Sequence, residues 1–214
     1  MVNYFLEILP ALLNGLIITL KVFFLTSLGS LPLGILVSFA LRSKIAPLYF
    51  LLNIYVWLMR GTPLLLQLIF VFYGLPMIGV TFARYEAALF TFILNYAAYF
   101  AEIFRGGIQS IPIGQYEAAK VLQLSKIKTI QKIILPQVFK IVLPSIGNEI
   151  VNLVKDSSLI YVIGLGDLLQ AGKIAMSRDV TLLPMVAVGV IYLILIGLLT
   201  LLVKKIESYY SYYR

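Results

Sequence analysis

Residues Glu117–Gln137 read EAAKVLQLSKIKTIQKIILPQ, a basic and amphipathic stretch. It lies in a chain of 214 residues that is 61% hydrophobic and only 12% charged. Soluble domains are about 45–50% apolar and about 25% charged, so this composition predicts a polytopic membrane protein. The quoted stretch is therefore expected to be a polar connection between membrane helices.

The composition also excludes several classes of function. The chain has no cysteine and no histidine, which removes disulfide frameworks, thiolate metal sites and histidine-based catalysis. No G-x-x-x-x-G-K-[ST] pattern occurs, so the chain has no phosphate-binding loop of its own. The H-E-x-x-H and G-x-S-x-G patterns are absent too, so we expect no enzyme and no metal site.

Apolar runs of about 20 residues predict membrane-spanning helices, and this chain has five of them. The expected fold is all-α, with about five transmembrane helices. The spans run over residues 15–41, 48–72, 85–104, 138–163 and 182–203. The first is expected to be a retained helix rather than a signal peptide, because the residues before it carry an acid and no base.

The distribution of lysine and arginine predicts the orientation of the spans. With the N-terminus outside, the inner segments hold Arg42, Lys44, Arg105, Lys120, Lys126, Lys128, Lys132, Lys140, Lys204, Lys205 and Arg214. The outer segments hold Arg84, Lys173 and Arg178. Because positive charge concentrates on the cytoplasmic side, we expect an outside N-terminus, a cytoplasmic C-terminus and a cytoplasmic Glu117–Gln137 stretch.

Within this stretch, residues 115–124 favour a helix, with Ala118, Val121 and Leu122 on one face. Leu135-Pro136 is expected to end a second short helix before the fourth span begins. One interpretation is an amphipathic helix that rests on the membrane surface. The other is a docking helix that a cytoplasmic partner binds by its apolar face.

The spacing within the stretch resembles the EAA loop of permeases of ATP-binding-cassette importers. Glu117, Ala118, Ala119, Ile133, Leu135 and Pro136 match that pattern in register. Gln123 stands where the family usually has glycine, which predicts a bend with ordinary dihedrals or a different angle between the two short helices. The resemblance implies that residues 106–137, called the coupling loop below, bind the ATPase.

Two further stretches resemble permeases of the polar amino-acid group, which import histidine, glutamine, glutamate or arginine. They are RGTPLLLQ at residues 60–67 and KDSSL at residues 155–159. The resemblance covers residues 1–214 as one permease domain in a bacterial cell membrane. It implies a second permease subunit, identical or different, two cytoplasmic ATP-binding subunits that use ATP and magnesium, and an extracytoplasmic amino-acid-binding protein. No cofactor in this chain and no nucleic acid is implied.

Polar residues inside the fourth span share one helical face. Ser145, Asn148, Glu149, Asn152 and Asp156 follow one another at spacings of three or four, apart from the adjacent pair 148–149. Such a stripe predicts a bundle interior or a water-filled cavity, because ionisable groups are costly in lipid. Hydrogen bonding between helices is the alternative explanation.

The second span carries Asn53, Arg60 and Gln67 at intervals of seven, and Gly61-Thr62-Pro63 interrupts it. Pro63 removes a backbone donor, so a kink or an unwound segment is expected there. Arg60 is interpreted as binding the carboxylate of an amino acid or holding a gate. The alternative is an ion pair with Glu102, which is also expected to pair with Arg105.

The predicted ligand site comprises Asn53, Arg60, Thr62, Gln67, Asn148, Glu149, Asn152, Asp156 and Ser157. Glu149 and Asp156 lie about 10 Å apart along one helix. One acid is left over if Arg60 binds the ligand, which favours arginine, lysine or histidine over glutamine. The alternative function is a small channel or secondary transporter with Arg60, Glu149 and Asp156 as an ion relay. The C-terminal SYYSYYR, residues 208–214, is typical of an interfacial tyrosine belt.

Overall fold

The computed structural model describes residues 2–210, and these residues form helices and short connections without a β-strand. The α-helices are α1 Val2–Ala40, α2 Ala46–Gly61, α3 Leu64–Ile69, α4 Arg84–Gln109, α5 Ile113–Val121, α6 Lys126–Thr129, α7 Leu135–Asp156, α8 Leu168–Asp179 and α9 Leu183–Tyr210. The predicted all-α class is confirmed. Residues 211–214, which include Arg214 and the end of the tyrosine-rich stretch, lie outside the described residues.

Within residues 2–210, four helices are long and apolar enough to cross a membrane, and a bent pair of helices makes five if it is counted as one span. The first helix begins at Val2, earlier than the expected start at residue 15. Its added turns bring Ile8 and Leu12 into a cluster with Leu168 and Val188. This packing against α8 and α9 explains why the helix extends beyond the predicted span.

The bent pair comprises Ala46–Gly61 and Leu64–Ile78, which meet at an angle of 107°. The predicted interruption is confirmed, and the chain turns at Thr62 and Pro63, both of which have extended backbone conformations. Beyond α3 the segment continues as a π-helical turn, Phe70–Gly74, and a 3₁₀ helix, Leu75–Ile78. α2 has 16 residues and spans about 24 Å, too short to cross about 30 Å of hydrocarbon alone.

α1 and α4 pack closely through small residues. The buried Ala97, Ala98 and Ala101 of α4 have no exposed surface. At Gly34 of α1, an added Cβ would lie 2.6 Å from Phe100 Cβ and 3.0 Å from the Ala97 carbonyl oxygen. Because small side chains allow the backbones of membrane helices to approach, this contact fixes the position of α4 in the bundle.

Replacing Gly34 by alanine is expected to lower the free energy of unfolding by about 1–3 kcal/mol, because backbone atoms of α4 must move. Gly197→Ala in α9 is the matched control, since a Cβ there meets nothing within 4 Å. The check is thermal unfolding of both variants in detergent. Equal midpoints for the two variants would contradict the close packing of α1 and α4.

The N-terminus of α8 is held against α1. Asp167 is fully buried and its carboxylate accepts hydrogen bonds from the backbone N–H groups of Leu169, at 3.0 Å, and Gln170, at 3.2 Å. The Leu168 N–H donates to Oγ1 of Thr19 at 3.2 Å. Burial raises the pKa of Asp167 from about 3.8 to about 6, although the backbone donors oppose this shift.

Stability should therefore fall as the pH rises between about 4 and about 6, because the folded protein binds this proton more tightly than the unfolded chain. An asparagine at this position would still accept a backbone N–H at the helix start, so Asp167→Asn should remove this fall. We expect the variant to gain stability relative to the original chain as the pH rises through this range. Thermal unfolding of the variant and of the original chain in detergent, at pH 4 and at pH 7.5, checks this. The same difference in midpoint between the two proteins at both pH values would contradict it.

Pro136 does not end a helix, contrary to the sequence-based expectation. α6, a π-helical turn at Ile130–Ile134 and α7 follow one another without a break. The Leu135 N–H donates to the Ile130 carbonyl, five residues back, and Pro136 occupies the first turn of α7. A proline at the first turn of a helix sacrifices no intrahelical hydrogen bond, and the wider π turn accommodates the junction.

Candidate ligand cavity and coupling loop

A cavity of about 470 Å³ lies between the break in the second span, α4 and the end of α7. Its lining residues are Thr62, Pro63, Leu64, Leu65, Asn95, Tyr96, Tyr99, Glu149, Asn152, Lys155, Asp156 and Leu159. Polar groups from three separate elements thus converge on one space. Such a combination of an unwound span and a polar helix face is common in ligand sites of transporters.

The polar stripe of α7 divides between the cavity and other surfaces. Glu149, Asn152 and Asp156 line the cavity, as the helical spacing predicts. Asn148 is exposed and does not line it. Ser157 is fully buried and its hydroxyl donates to the Val154 carbonyl at 2.7 Å, so the structure places this predicted ligand residue in a helix-internal contact.

The cavity is richer in negative than in positive charge. The Tyr96 hydroxyl donates to Oδ2 of Asp156 at 2.7 Å. Among residues 2–210, no lysine or arginine nitrogen lies within 4.0 Å of the Glu149 or Asp156 carboxylate. Lys155 supplies the cation in the lining. The cavity therefore offers two carboxylates and one ammonium group to a ligand.

Two amide side chains bind the Met59 carbonyl at the break. Pro63 has no N–H to donate to the Met59 carbonyl. Gln67 Nε2 and Asn95 Nδ2 each donate to that carbonyl oxygen at 2.9 Å. Gln67 does not line the cavity, so the structure places this predicted ligand residue at the break itself.

Arg60 lies outside the cavity lining. Its Nη1 is 3.5 Å from Oε2 of Glu102, and its guanidinium lies 5.4 Å from the centroid of the Tyr99 ring. Glu102 also accepts two hydrogen bonds from Arg105, at 2.6 and 2.8 Å. Arg60 is therefore paired with Glu102, which was the alternative to a contact between Arg60 and the ligand. Asn53 is also absent from the cavity lining.

Gln123 adopts a left-handed backbone conformation, with φ of +55°. The Leu124 N–H donates to the Ala119 carbonyl and the Gln123 N–H donates to the Lys120 carbonyl, both at 3.0 Å. These two bonds form a Schellman motif that ends α5. The expectation of ordinary dihedrals is therefore wrong, because this helix end requires the conformation that glycine adopts without strain.

Gln123→Gly is expected to leave the free energy of unfolding unchanged or to raise it by up to about 1 kcal/mol. A residue with a Cβ costs about 1–2 kcal/mol in the left-handed conformation. Glycine avoids this cost, but its larger loss of backbone entropy on folding offsets part of the gain. Gln123→Val should lower stability, since a β-branched side chain tolerates positive φ poorly. Thermal unfolding of both variants in detergent is the measurement. A valine variant as stable as the glycine variant would contradict the assigned conformation.

The coupling loop presents apolar side chains to solvent. Val121, the last residue of α5, is 82% exposed, and Leu122, which follows it, is 71% exposed. Ala118 of α5 is exposed as well. Ala119, by contrast, is only 1% exposed. The remaining matched positions are the exposed Glu117, Leu135 and Pro136 and the half-buried Ile133.

Several cavity residues were not in the site predicted from sequence, namely Pro63, Leu64, Leu65, Asn95, Tyr96, Tyr99, Lys155 and Leu159. Asn95 and Tyr99 share a face of α4 with Glu102, and this helical periodicity could have indicated that they belong to a polar site. Tyr96 is 2% exposed and resembles an ordinary core aromatic until its contact with Asp156 is known.

Comparison with known proteins identifies the family. Residues 30–210 match the family described as binding-protein-dependent transport system inner membrane component, and the chain belongs to it. The chain is an amino-acid ATP-binding-cassette transporter permease subunit, a multi-pass membrane protein without catalytic function. This membership favours the importer over the channel or secondary transporter.

Several relatives are similar over nearly the whole chain. The arginine transport system permease protein ArtQ of Bacillus subtilis is 39% identical and aligns with 93% of this chain and 92% of its own length. A putative glutamine transport system permease protein of Rickettsia typhi is 34% identical and aligns with 97% of this chain and 98% of its own length. The crystal structure of an amino acid ABC transporter with histidines has a TM-score of 0.90 and 31% identity, covering 96% of this chain and 97% of that chain. These relatives differ in the amino acid that they are named for.

Proposed function

We propose that this permease subunit carries basic amino acids, arginine or lysine above others, through the cavity between α4, α7 and the broken second span. The observation that carries the proposal is the pair of carboxylates, Glu149 and Asp156, that line the cavity without a cation within 4.0 Å in the described chain. A carboxylate in a membrane protein interior is costly unless a positive group accompanies it. An amino acid with a cationic side chain supplies two positive groups, that side chain and the α-ammonium group, one for each carboxylate.

Lys155 is proposed to bind the carboxylate of the amino acid in place of Arg60. Lys155 lines the cavity on the same helix as both acids, whereas Arg60 is engaged by Glu102. The charges of the cavity then complement a basic amino acid group by group. A neutral substrate such as glutamine would leave one of the two carboxylates without a counter-charge.

We also propose how the subunit sits in its complex. The excess of lysine and arginine on one side favours an outside N-terminus, a cytoplasmic C-terminus and a cytoplasmic coupling loop. The exposed Val121 and Leu122 support docking of two ATP-binding subunits, which use ATP and magnesium. A second permease subunit and an extracytoplasmic amino-acid-binding protein complete the complex.

Equilibrium binding to the detergent-purified permease–ATPase complex, without the amino-acid-binding protein, tests the substrate class. The panel is labelled arginine, lysine, histidine, glutamine and glutamate. We expect arginine or lysine to bind at least about tenfold more tightly than glutamine, a difference of about 1.4 kcal/mol. Tighter binding of glutamine or glutamate than of arginine and lysine would overturn the proposed substrate class.

A further inference from the structure

The break in the second span exposes backbone carbonyls that the helix cannot satisfy. In an unbroken helix the Met59 carbonyl would accept a hydrogen bond from the N–H of residue 63, but Pro63 has no N–H. The chain then turns by 107°. An unsatisfied carbonyl inside a membrane protein costs several kcal/mol, so the broken geometry needs donors from elsewhere.

Two amide side chains, one from α3 and one from α4, supply these donors. Gln67 of α3 donates through Nε2 to the Met59 carbonyl, to the Thr62 carbonyl at 3.2 Å and to Thr62 Oγ1 at 2.8 Å. Asn95 of α4 donates through Nδ2 to the same Met59 carbonyl. Asn95 Nδ2 also lies 3.0 Å from Gln67 Oε1, so the two amides bind each other as well as the break.

This pair joins the break to α4 at the wall of the cavity. Thr62 and Pro63 line the cavity at the break, and Asn95 lines it from α4. Asn95 is 3% exposed, so its amide has little access to water as an alternative partner. Tyr96, the next residue along α4, holds Asp156 through its hydroxyl. The position of α4 therefore sets both the break and one of the two cavity carboxylates.

α4 also leads directly towards the coupling loop. It ends at Gln109, and α5 begins at Ile113 after a short connection. α4, this short connection and α5 thus join the amides at the break to the exposed Val121 and Leu122.

We infer that Gln67 and Asn95 are positioning residues that lock the broken second span to α4, so that the wall of the ligand cavity moves with the helix that leads to the coupling loop. Gln67 acts without touching the ligand. The inference rests on the proposed function, because it takes the cavity as the ligand site. It adds a structural route by which ligand binding in the cavity affects ATP hydrolysis by the ATPase.

The test uses Gln67→Leu, Asn95→Leu and the double variant. Ligand affinity is measured on the permease–ATPase complex without the binding protein, which binds the amino acid itself, and ATP hydrolysis is measured on the complete complex with its ATPase and binding protein. Each leucine keeps most of the side-chain volume and removes the amide. We expect each single variant to lower ligand affinity at least about tenfold and to reduce the ligand-stimulated increase in ATP hydrolysis. The double variant should lose no more than either single variant, because the two amides act as one unit.

Two controls separate positioning from general damage. Asn14→Leu makes the same amide-to-leucine change on α1, where Asn14 is exposed and does not line the cavity, and should keep affinity and stimulation. The exchange of the pair, Gln67→Asn with Asn95→Gln, keeps both amides and their combined length. It should recover part of the lost stimulation, whereas a general loss of packing would not respond to it.

The probes are labelled arginine and labelled glutamine, and whichever the unaltered complex binds more tightly is used for the variants. A preference for glutamine would overturn the proposed substrate class and leave this test in place. Affinity and stimulation within twofold of the unaltered complex in Gln67→Leu would overturn the inference. Additive losses in the double variant, or a failure of the exchanged pair to recover any stimulation, would overturn it too.

Discussion

Replacing Val121 or Leu122 by glutamate is expected to abolish ATP-driven uptake by separating the permease from its ATPase. Each side chain is exposed in the isolated chain, although it is large and apolar. Burial of one such side chain in a partner's groove stabilises the complex by about 1.5–3 kcal/mol. A glutamate there loses this contribution and adds the cost of burying a charge, so association should weaken at least about a hundredfold.

The choice of position matters within the coupling loop. Ala119 is buried, so a bulky charge there would disturb packing inside this chain and would not report on docking alone. Val180→Glu is the matched control, because Val180 is 91% exposed at the far end of α8. Co-purification of the ATPase is the measurement. Full co-purification with Val121→Glu and Leu122→Glu, together with normal uptake, would contradict the docking role of this surface.

Changing Glu149 to glutamine is expected to lower the affinity for arginine and lysine about tenfold or more, which is about 1.4 kcal/mol. The amide keeps the size of the side chain and removes the charge that faces the cavity. Neutral amino acids should bind almost as before, because they bring no cationic side chain to this position.

Equilibrium binding of labelled arginine, lysine and glutamine to the purified permease–ATPase complex, without the binding protein, measures this difference. Glu7→Gln makes the same change on the exposed surface of α1, where Glu7 lies 3.9 Å from Arg178, and should leave all three affinities unchanged. An arginine affinity in Glu149→Gln equal to that of the unaltered complex would show that Glu149 does not bind the cationic group.

The spans and the break could be predicted because each depends on local sequence. Apolar runs of sufficient length predict membrane helices, and Pro63 after Gly61-Thr62 predicts a broken one. The face of α7 that carries Glu149, Asn152 and Asp156 follows from helical periodicity in the same way.

Other features depend on neighbours that a single chain segment does not reveal. Asn148 and Asn152 have the same chemistry on neighbouring turns, and their spacing does not show that Asn152 lines the cavity and Asn148 does not. Arg60 has two possible partners in the sequence, a ligand or Glu102, and the approach of α2 to α4 brings it to Glu102. Gln67 belongs to the break because the chain turns by 107° there, a magnitude that no spacing predicts.

Backbone details were also beyond the sequence. Gln123 takes the conformation that the Schellman motif requires, despite its Cβ. Pro136 normally indicates a helix end, yet it lies in the first turn of α7, which follows the π turn without a break. In both places a hydrogen-bond pattern over several residues overrides the preference of one residue.

ATP-driven import of basic amino acids is best tested by uptake of labelled arginine into proteoliposomes that contain the complete complex. We expect accumulation that requires ATP on the side of the coupling loop and the binding protein on the other side. It should be independent of imposed ion gradients, and unlabelled lysine should inhibit it more strongly than glutamine does. Accumulation driven by an ion gradient without ATP, or ATP-driven accumulation of glutamine with none of arginine, would contradict this expectation.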